Sequence, residues 1–438
     1  MALYCFVIGL VSCLALPPLI IFSLITGWQR PGLRQRFGCY PALPAKTGAS
    51  EAPHLWLHVA SVGEARAALA FIAALRTQTS GRQTPGCDIV LTAMTVRGRD
   101  VAQRHLPDVP CFLAPLDVPW IVSRVAKRIN PDLYIALESE LWPVTLHTLR
   151  RRGCPVMLTN GRMTAKAAVG WSRFPWLFKA MVDAFAAIAV IGEEDRERFA
   201  ALGARAGIIT VAGNLKYDHR LNDDDQRKLR FLRGVCALNE EVLLGGSIHT
   251  GEEKALLATW RRLCQEKPLV LILAPRHLER LDELRAWLRR EKTPWQDFSA
   301  LLTGSPNGQR RQERLILVDT YGDLPILYGL ADYVFIGGSL TPKGGHNPLE
   351  AALWAKAAWH GPDVRDFAAV YRRLDEANAA FMAQNSDELF RQISFYRHHP
   401  DAYHLAGQRA REIATGQQGA AERQAALALK TFANYARP

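Results

Sequence analysis

The chain has 438 residues, 49% hydrophobic and 22% charged, and its 54 Lys and Arg exceed its 42 Asp and Glu by 12. At about 150 residues per domain the length allows two or three folded units, and this apolar content excludes a largely disordered chain. The basic balance admits nucleic acid, an anionic membrane or a phosphorylated substrate as partner, and chooses none of them.

Residues Ala2 to Ile25 carry no charge. As a helix, about 24 residues at 1.5 Å each would extend about 36 Å, enough for a hydrocarbon core of about 30 Å. Pro17 and Pro18 offer a competing geometry, an interfacial or re-entrant helix of about 15 residues that stops at the prolines. A cleaved signal peptide would need a basic segment ahead of the apolar run, but here Arg30, Arg34 and Arg36 follow it. That flank predicts a single N-terminal membrane anchor over residues 1–27. The bulk of the chain would then be cytoplasmic, with the arginines facing an anionic leaflet.

After a Pro-rich linker, Pro41 to Pro53, short apolar runs alternate with helical periodicity in a βα rhythm. The first series predicts strands at Leu55–Ala60, Ile89–Ala93, Leu133–Leu137, Val156–Asn160, Ile188–Ile191 and Ile208–Val211. The pattern lapses around Asp218 to Asn222 and resumes at Val242–Gly245, Leu269–Ala274, Leu315–Val318 and Tyr333–Ile336. Two parallel-sheet halves follow, residues 28–220 and 221–438, with the final helix free to pack back on the first. Ligands of such sheets bind beyond the carboxyl ends of the strands, so the residues directly after these runs are the candidates for chemistry.

Ser61-Val62-Gly63-Glu64 follows the first strand. It fits a capping box, Ser61 and Glu64 satisfying each other's backbone amides. It equally fits a general base at a strand end, provided that burial or a second carboxylate raises the Glu64 pKa against the helix dipole. A second carboxylate is offered by Glu138-Ser139-Glu140-Leu141-Trp142-Pro143, and a cation by Lys216 in Gly213-Asn214-Leu215-Lys216-Tyr217-Asp218. In the second half Arg276 follows an apolar strand, free to contact a phosphate or to pair with Glu279. The stretch Gly337 to Ala352 reads strand, Gly-rich loop, helix, with Asn347 as N-cap, Pro348 at N1 and Glu350 at N3, a start that would suit an anion. It has neither Walker A nor dinucleotide spacing.

Asp223-Asp224-Asp225 reads as the acidic first turn of a helix rather than a metal site. The eight cysteines show no metal-ligand or redox spacing. Short basic clusters such as Arg150-Arg151-Arg152 lack aromatic interleaving, and nothing marks a nucleic-acid module.

Taken in order, the motifs above, with Gly246-Ser247-Ile248-His249-Thr250-Gly251-Glu252-Glu253, resemble the 3-deoxy-D-manno-octulosonic acid (Kdo) transferases of lipid A assembly. The resemblance implies a GT-B glycosyltransferase, two Rossmann-like domains facing a cleft. CMP-Kdo would be the donor substrate and a lipid A precursor the acceptor, in an inverting, metal-independent and cofactor-free transfer. It places the enzyme at the cytoplasmic face of the bacterial inner membrane. By the same resemblance Glu64 would be the general base and Glu138 and Lys216 transition-state stabilisers. Pro275-Arg276, Gly322-Asp323-Leu324 and Asn347-Pro348-Leu349-Glu350 would bind CMP. Three departures, Val144 in place of Asn, Thr95-Val96-Arg97-Gly98 and Asn160-Gly161-Arg162-Met163-Thr164, all fall in the acceptor half. The rival expectations are a GT-B enzyme using another nucleotide sugar and a non-catalytic, membrane-tethered nucleotide-sugar sensor.

Overall fold

The computed structural model describes residues 1–26, 32–41, 53–79, 87–218, 221, 223–236, 239–303, 311–416 and 418–435. They form two compact units, Met1–Asp218 with Gln417–Pro438, and His219–Gly416.

The first unit is built on seven strands, β1 (His54–Val59), β2 (Asp88–Ala93), β3 (Cys111–Leu113), β4 (Leu133–Leu137), β5 (Val156–Gly161), β6 (Ala187–Val190) and β7 (Ile209–Val211). The second has β8 (Glu241–Ile248), β9 (Leu269–Pro275), β10 (Gln296–Asp297), β11 (Leu315–Leu317), β12 (Tyr333–Ile336), β13 (Ala358–His360) and β14 (Ala380–Met382). The spatial orders are β3-β2-β1-β4-β5-β6-β7 and β10-β11-β9-β8-β12-β13-β14, with every pairing parallel.

A parallel sheet covered by helices on both faces needs strands that are apolar on both sides, and these are. Leu55, Leu57 and Val59 face a core layer shared with Phe71, Ile72 and Leu75 of the helix Val62–Thr79. Trp56 points into the opposite layer with Tyr134, Val125 and Phe178. In the second sheet Val242, Leu244, Val270 and Ile272 face one layer, and Leu243, Leu271 and Leu273 the other.

The ten predicted strands are all present. The four unpredicted ones, β3, β10, β13 and β14, are only two or three residues long, and three of them are sheet edges. Runs this short carry little periodicity, and β7 and β11, also three residues long, stood out because they sit in four-residue runs of apolar and β-branched residues. Strand order reverses between β1 and β4 and again between β8 and β12, so each unit has one topological switch point where a ligand crevice belongs.

The N-terminal expectation needs correction. A helix does form over Ala2–Thr26 with both prolines inside it. Among the described residues, however, no helix is long and apolar enough to cross a membrane, so a spanning anchor is not supported. The helix instead packs on the first unit, against the helices Pro119–Ile129 and Pro143–Arg151, with Gly9 beside Pro119 and Trp120. Phe6, Val7, Leu10, Val11 and Leu14 remain exposed.

The expected basic flank is also altered. Arg36 donates to the Met94 carbonyl and, at 3.4 Å, to that of Ala114, where burial depresses its pKa, so it is a structural cation and not a membrane-facing one. Arg30 and the linker residues 42–52 lie outside the described residues.

The chain leaves the first unit at Asp218 and returns through the helix Ala420–Tyr435, which packs on Val62–Thr79. Small residues on both, Ala65 and Ala68 against Ala421, Ala425 and Ala428, line one core layer and let the helices approach closely. The fully buried Gln424 stitches the return in place. Its carbonyl oxygen accepts from the Thr159 hydroxyl and, at 2.8 Å, from the Asn160 N–H, while its amide donates to the Gly213 carbonyl at 2.8 Å. Gln424→Leu strands these partners. At about 1–3 kcal/mol per unpaired buried group, we expect a loss of about 2–4 kcal/mol of stability. Chemical unfolding followed by tryptophan fluorescence should show the lower midpoint; an unchanged midpoint would contradict this account.

Candidate active site

The Ser61–Glu64 segment combines both expected roles. Ser61 Oγ accepts the Glu64 N–H at 3.2 Å and donates to Glu64 Oε1 at 3.1 Å, while Glu64 Oε2 accepts the Ala60 N–H at 2.7 Å. This is a capping arrangement in which the carboxylate reaches Ala60, one residue earlier than the expected box. The carboxylate is also taken out of water, with Glu64 only 6% exposed. Burial, reinforced by the charges of Glu138 and Glu140, outweighs the two donors and raises its pKa to about 7. That is the condition the sequence set for a base at this position.

Glu138 sits at the carboxyl end of β4 in the left-handed region, φ 57°, held by its N–H to the Thr159 carbonyl at 2.9 Å. Its Oε1 pairs with Lys216 Nζ at 2.5 Å. Lys216 is placed by backbone contacts. The Leu215 N–H donates to Asn160 Oδ1 at 2.8 Å, and the Lys216 N–H to Asn214 Oδ1 at 3.0 Å. A Cβ on Gly63 would stand 3.9 Å from Lys216 Nζ, so the ammonium lies over the start of the helix that carries Glu64. Glu64, Glu138 and Lys216 are therefore brought together at the β1/β4 switch point.

Glu140 is occupied differently. Its Oε2 accepts from Trp142 Nε1 at 2.7 Å and faces His58 Nε2 at 3.3 Å. Burial works to raise its pKa, but the His58 contact and the Trp142 N–H prevail and hold it below the usual range. It is thus a fixed negative charge that helps keep Glu64 basic. The His58 ring is set by Thr92 Oγ1 at 3.0 Å, which also accepts from Trp56 Nε1 at 2.9 Å. His58 and Gln424 were not singled out in the sequence, and Asn160 entered only as the first residue of a divergent loop. His58 and Asn160 lie at strand ends, where their polarity inside apolar runs was the available signal.

Among the departures from the family pattern, Val144 is buried and offers only its N–H, which donates to Asp117 Oδ2 at 2.9 Å. Thr95 caps the next helix through the Gly98 N–H at 3.1 Å and donates to the Ala60 carbonyl at 3.2 Å, bracing the Ser61 loop.

In the second unit Pro275 ends β9 buried, and Arg276 follows it exposed, its N–H donating to the Ile248 carbonyl at 3.1 Å. Among the described residues Arg276 forms no ion pair with Glu279. Gly322, in the left-handed region at φ 94°, and Asp323 lead into the helix Leu324–Leu330 after β11, with the Thr320 hydroxyl donating to Asp323. The Asn347–Glu350 expectation is corrected in detail. The helix is only Leu349–Ala352, with Pro348 as its N-cap residue, although Asn347 Oδ1 still accepts the Leu349 N–H at 3.1 Å. A single turn aligns too few peptide dipoles to make a phosphate seat on its own. Arg276 and Glu350 do converge, both acting on the buried Tyr328 hydroxyl, whose acidity burial suppresses. Pro275, Arg276 and Asn347–Glu350 thus gather near the β8/β12 switch point, whereas Gly322–Leu324 lies beyond β9.

Asp223–Asp225 form the first turn of the helix Asp223–Val235, and Asp224 pairs with Lys228 at 2.8 Å. Among the described residues no group of His, Cys, Asp and Glu could hold a metal ion.

Residues 31–219 match the family model described as 3-deoxy-D-manno-octulosonic-acid transferase (kdotransferase). The chain is 28% identical over 408 residues to the 3-deoxy-D-manno-octulosonic acid transferase of Haemophilus influenzae, covering 92% of each chain. It is 29% identical over 373 residues to a probable mitochondrial 3-deoxy-D-manno-octulosonic acid transferase of Arabidopsis thaliana, covering 83% of this chain and 81% of that one. The solved structure of UDP-GlcNAc 2-epimerase from Neisseria meningitidis bound to UDP-GlcNAc shares the fold with a TM-score of 0.57 at 10% identity, over 87% of this chain and 99% of that one. Residues 31–219 thus match the Kdo transferase model, the chain as a whole has a GT-B-like fold, and it is a glycosyltransferase related to the enzymes of that name.

Proposed function

We propose that this enzyme transfers Kdo from CMP-Kdo to a lipid A precursor with inversion, using no metal ion. The observation that carries the proposal is the buried Glu64 carboxylate, poised near neutrality beside the Glu138–Lys216 pair. Glu64 takes the proton of the attacking acceptor hydroxyl. The acceptor oxygen bonds to the anomeric carbon as the bond from that carbon to the phosphate oxygen breaks, and CMP departs with the electron pair. Lys216, held by Glu138, is a fixed cation for charge that develops on the way, and Arg276 supplies positive charge for the phosphate. Pro275, the Gly322–Leu324 turn and Asn347–Glu350 complete the CMP site. The enzyme acts at the membrane surface, with Phe6, Val7, Leu10, Val11 and Leu14 of the first helix lying in the lipid interface rather than spanning it.

Glu64→Gln keeps the shape and removes the base. With CMP-Kdo and a lipid A precursor, we expect kcat to fall about 10²- to 10⁴-fold with CMP binding retained. Near-normal turnover would end the base assignment. CMP binding without transfer by the unaltered protein would mark a sensor, and a preference for UDP in competition binding would mark a different donor.

The rate should also report Glu64 directly. Only the ionised carboxylate accepts a proton, so kcat should rise with pH through about 7 and then level off. A profile already flat from pH 5 upward would show that Glu64 does not carry the limiting protonation.

For the metal, transfer should proceed at full rate in EDTA. Loss in EDTA with recovery on adding Mg²⁺ would refute a metal-free mechanism.

A further inference from the structure

Three histidines in the second unit have no part in the scheme above, and the fold places them together at the switch point between β8 and β12. β8 ends irregularly. Its register with β9 shifts between Gly246 and Ile248, and Ser247 takes a left-handed φ of 54°, which turns the chain toward the loop after β12. The fully buried Glu252 then locks the two loops to each other. Its carboxylate accepts the N–H groups of His249 and Gly338 at 2.8 Å, and of Ser339 and Leu340 at 2.9 Å.

So fixed, His249 Nε2 and His346 Nε2 lie 2.9 Å apart, with the rings stacked at 14° and their centroids 5.1 Å apart. His277 stands edge-on to His249 at 5.5 Å. Both stacked rings lie over Gly338, where at φ 72° a Cβ would come within 3.1 Å of His346 and 3.4 Å of His249. At 2.9 Å the two imidazole nitrogens share one hydrogen, a contact open to the neutral pair and to the pair with one added proton, and burial with the surrounding cations favours the neutral one.

The charges around it are mostly positive. Arg276, His277 and Arg280 come from the segment after β9, and Lys343 from the loop after β12. The carboxylates nearby are engaged elsewhere. Glu252 is spent on four backbone N–H groups, Glu253 faces Arg280 at 3.5 Å, Asp363 accepts the Gly344 N–H at 2.8 Å, and Asp366 stands against Gly344. Burial first, and then Arg276 and the neighbouring imidazoles, lower His346 to about 4, and burial likewise lowers His249. Such a cluster is a cationic site held one proton short. An anion of two charges would bring that proton in.

We propose that the His249–His346 pair, flanked by Arg276 and His277, seats the phosphate of the departing nucleotide and takes up one proton from solvent as that phosphate gains its second negative charge. The inference rests on a nucleoside monophosphate sugar as donor. In the donor the phosphate is a diester with one charge. When its bond to the sugar breaks, the electron pair stays on the phosphate oxygen, the acceptor's proton is on Glu64, and the phosphate becomes a dianion. A second proton, from water, then balances that charge at the imidazole pair.

The test is calorimetric titration of the full-length protein with CMP at pH 7.5, where a phosphate monoester with a second pKa of about 6 is mainly dianionic. Repetition in buffers of different ionisation heat counts the protons. We expect net proton uptake on binding CMP and none on binding cytidine. His249→Gln and His346→Gln should each abolish the uptake and weaken CMP about ten- to a hundredfold, as for a lost hydrogen bond to a charged group, with cytidine affinity unchanged. The unchanged cytidine affinity shows that each variant is folded. CMP binding without proton uptake, or uptake that persists in both variants, would overturn the proposal and leave the CMP-Kdo reading standing. Failure of the unaltered protein to bind CMP would instead overturn that reading.

Discussion

In each unit a carboxylate buried at the start of the helix that follows the central strand organises everything around it. Glu64 follows β1 and Glu252 follows β8, each preceded by a glycine and each accepting a backbone N–H from the strand's own exit. The two differ in how completely they are satisfied. Glu252 takes four backbone N–H groups and clamps the loops on both sides of its switch point. Glu64 takes one backbone N–H and one hydroxyl, and stands near two further carboxylates. Donors to a carboxylate stabilise its charge, while burial and like charges oppose it. The same position in two similar units thus holds a structural clamp in one and a carboxylate poised near neutrality in the other.

Strand order explains why these carboxylates can matter chemically. At a switch point the loops on either side diverge, which opens a crevice at the carboxyl edge of the sheet. β1 and β4 carry Glu64 and Glu138 to one such edge, and β8 and β12 carry His249 and His346 to the other. Polar groups placed elsewhere in strands buried on both faces would be desolvated without function. His58 shows the compromise. It lies within β1, but as the next-to-last residue its ring still reaches Glu140 at 3.3 Å and Thr92 at 3.0 Å.

Local patterns predicted much of this. Apolar runs of four or more residues located every long strand, because a strand buried on both faces cannot avoid such a run. Glu138 was visible because it directly follows such a run, and Glu64 because it opens the helix after one. Three kinds of feature were hidden. The two- and three-residue strands β3, β10, β13 and β14 have no period to detect. The Asn347–Glu350 helix start looked like an anion site because capping residues announce a beginning but not a length, and the helix stops after four residues. The role of Glu252 depends on the loop some 86 residues further on, a juxtaposition that only the sheet creates. The N-terminal run misled in another way. Its composition suits a bilayer, but composition does not record the packing of its first half on the Pro119–Ile129 and Pro143–Arg151 helices.

The C-terminal helix shows how a segment without chemical groups can still determine chemistry. Asp218, where the chain leaves the first unit, accepts the N–H groups of Gly419 at 2.8 Å and Ala421 at 2.5 Å, so departure and return are tied at one carboxylate. Lys216 is two residues away from that knot. Gln424 holds the Asn160 N–H and the Gly213 carbonyl, and Asn160 in turn accepts the Leu215 N–H. The backbone on both sides of Lys216 is therefore fixed by contacts that originate in, or depend on, the returning helix. A lysine on a loose loop would spend its long side chain's conformational entropy each time it met Glu138. Here the backbone part of that cost is met in folding, and the ammonium stays over Gly63 at the head of the Glu64 helix.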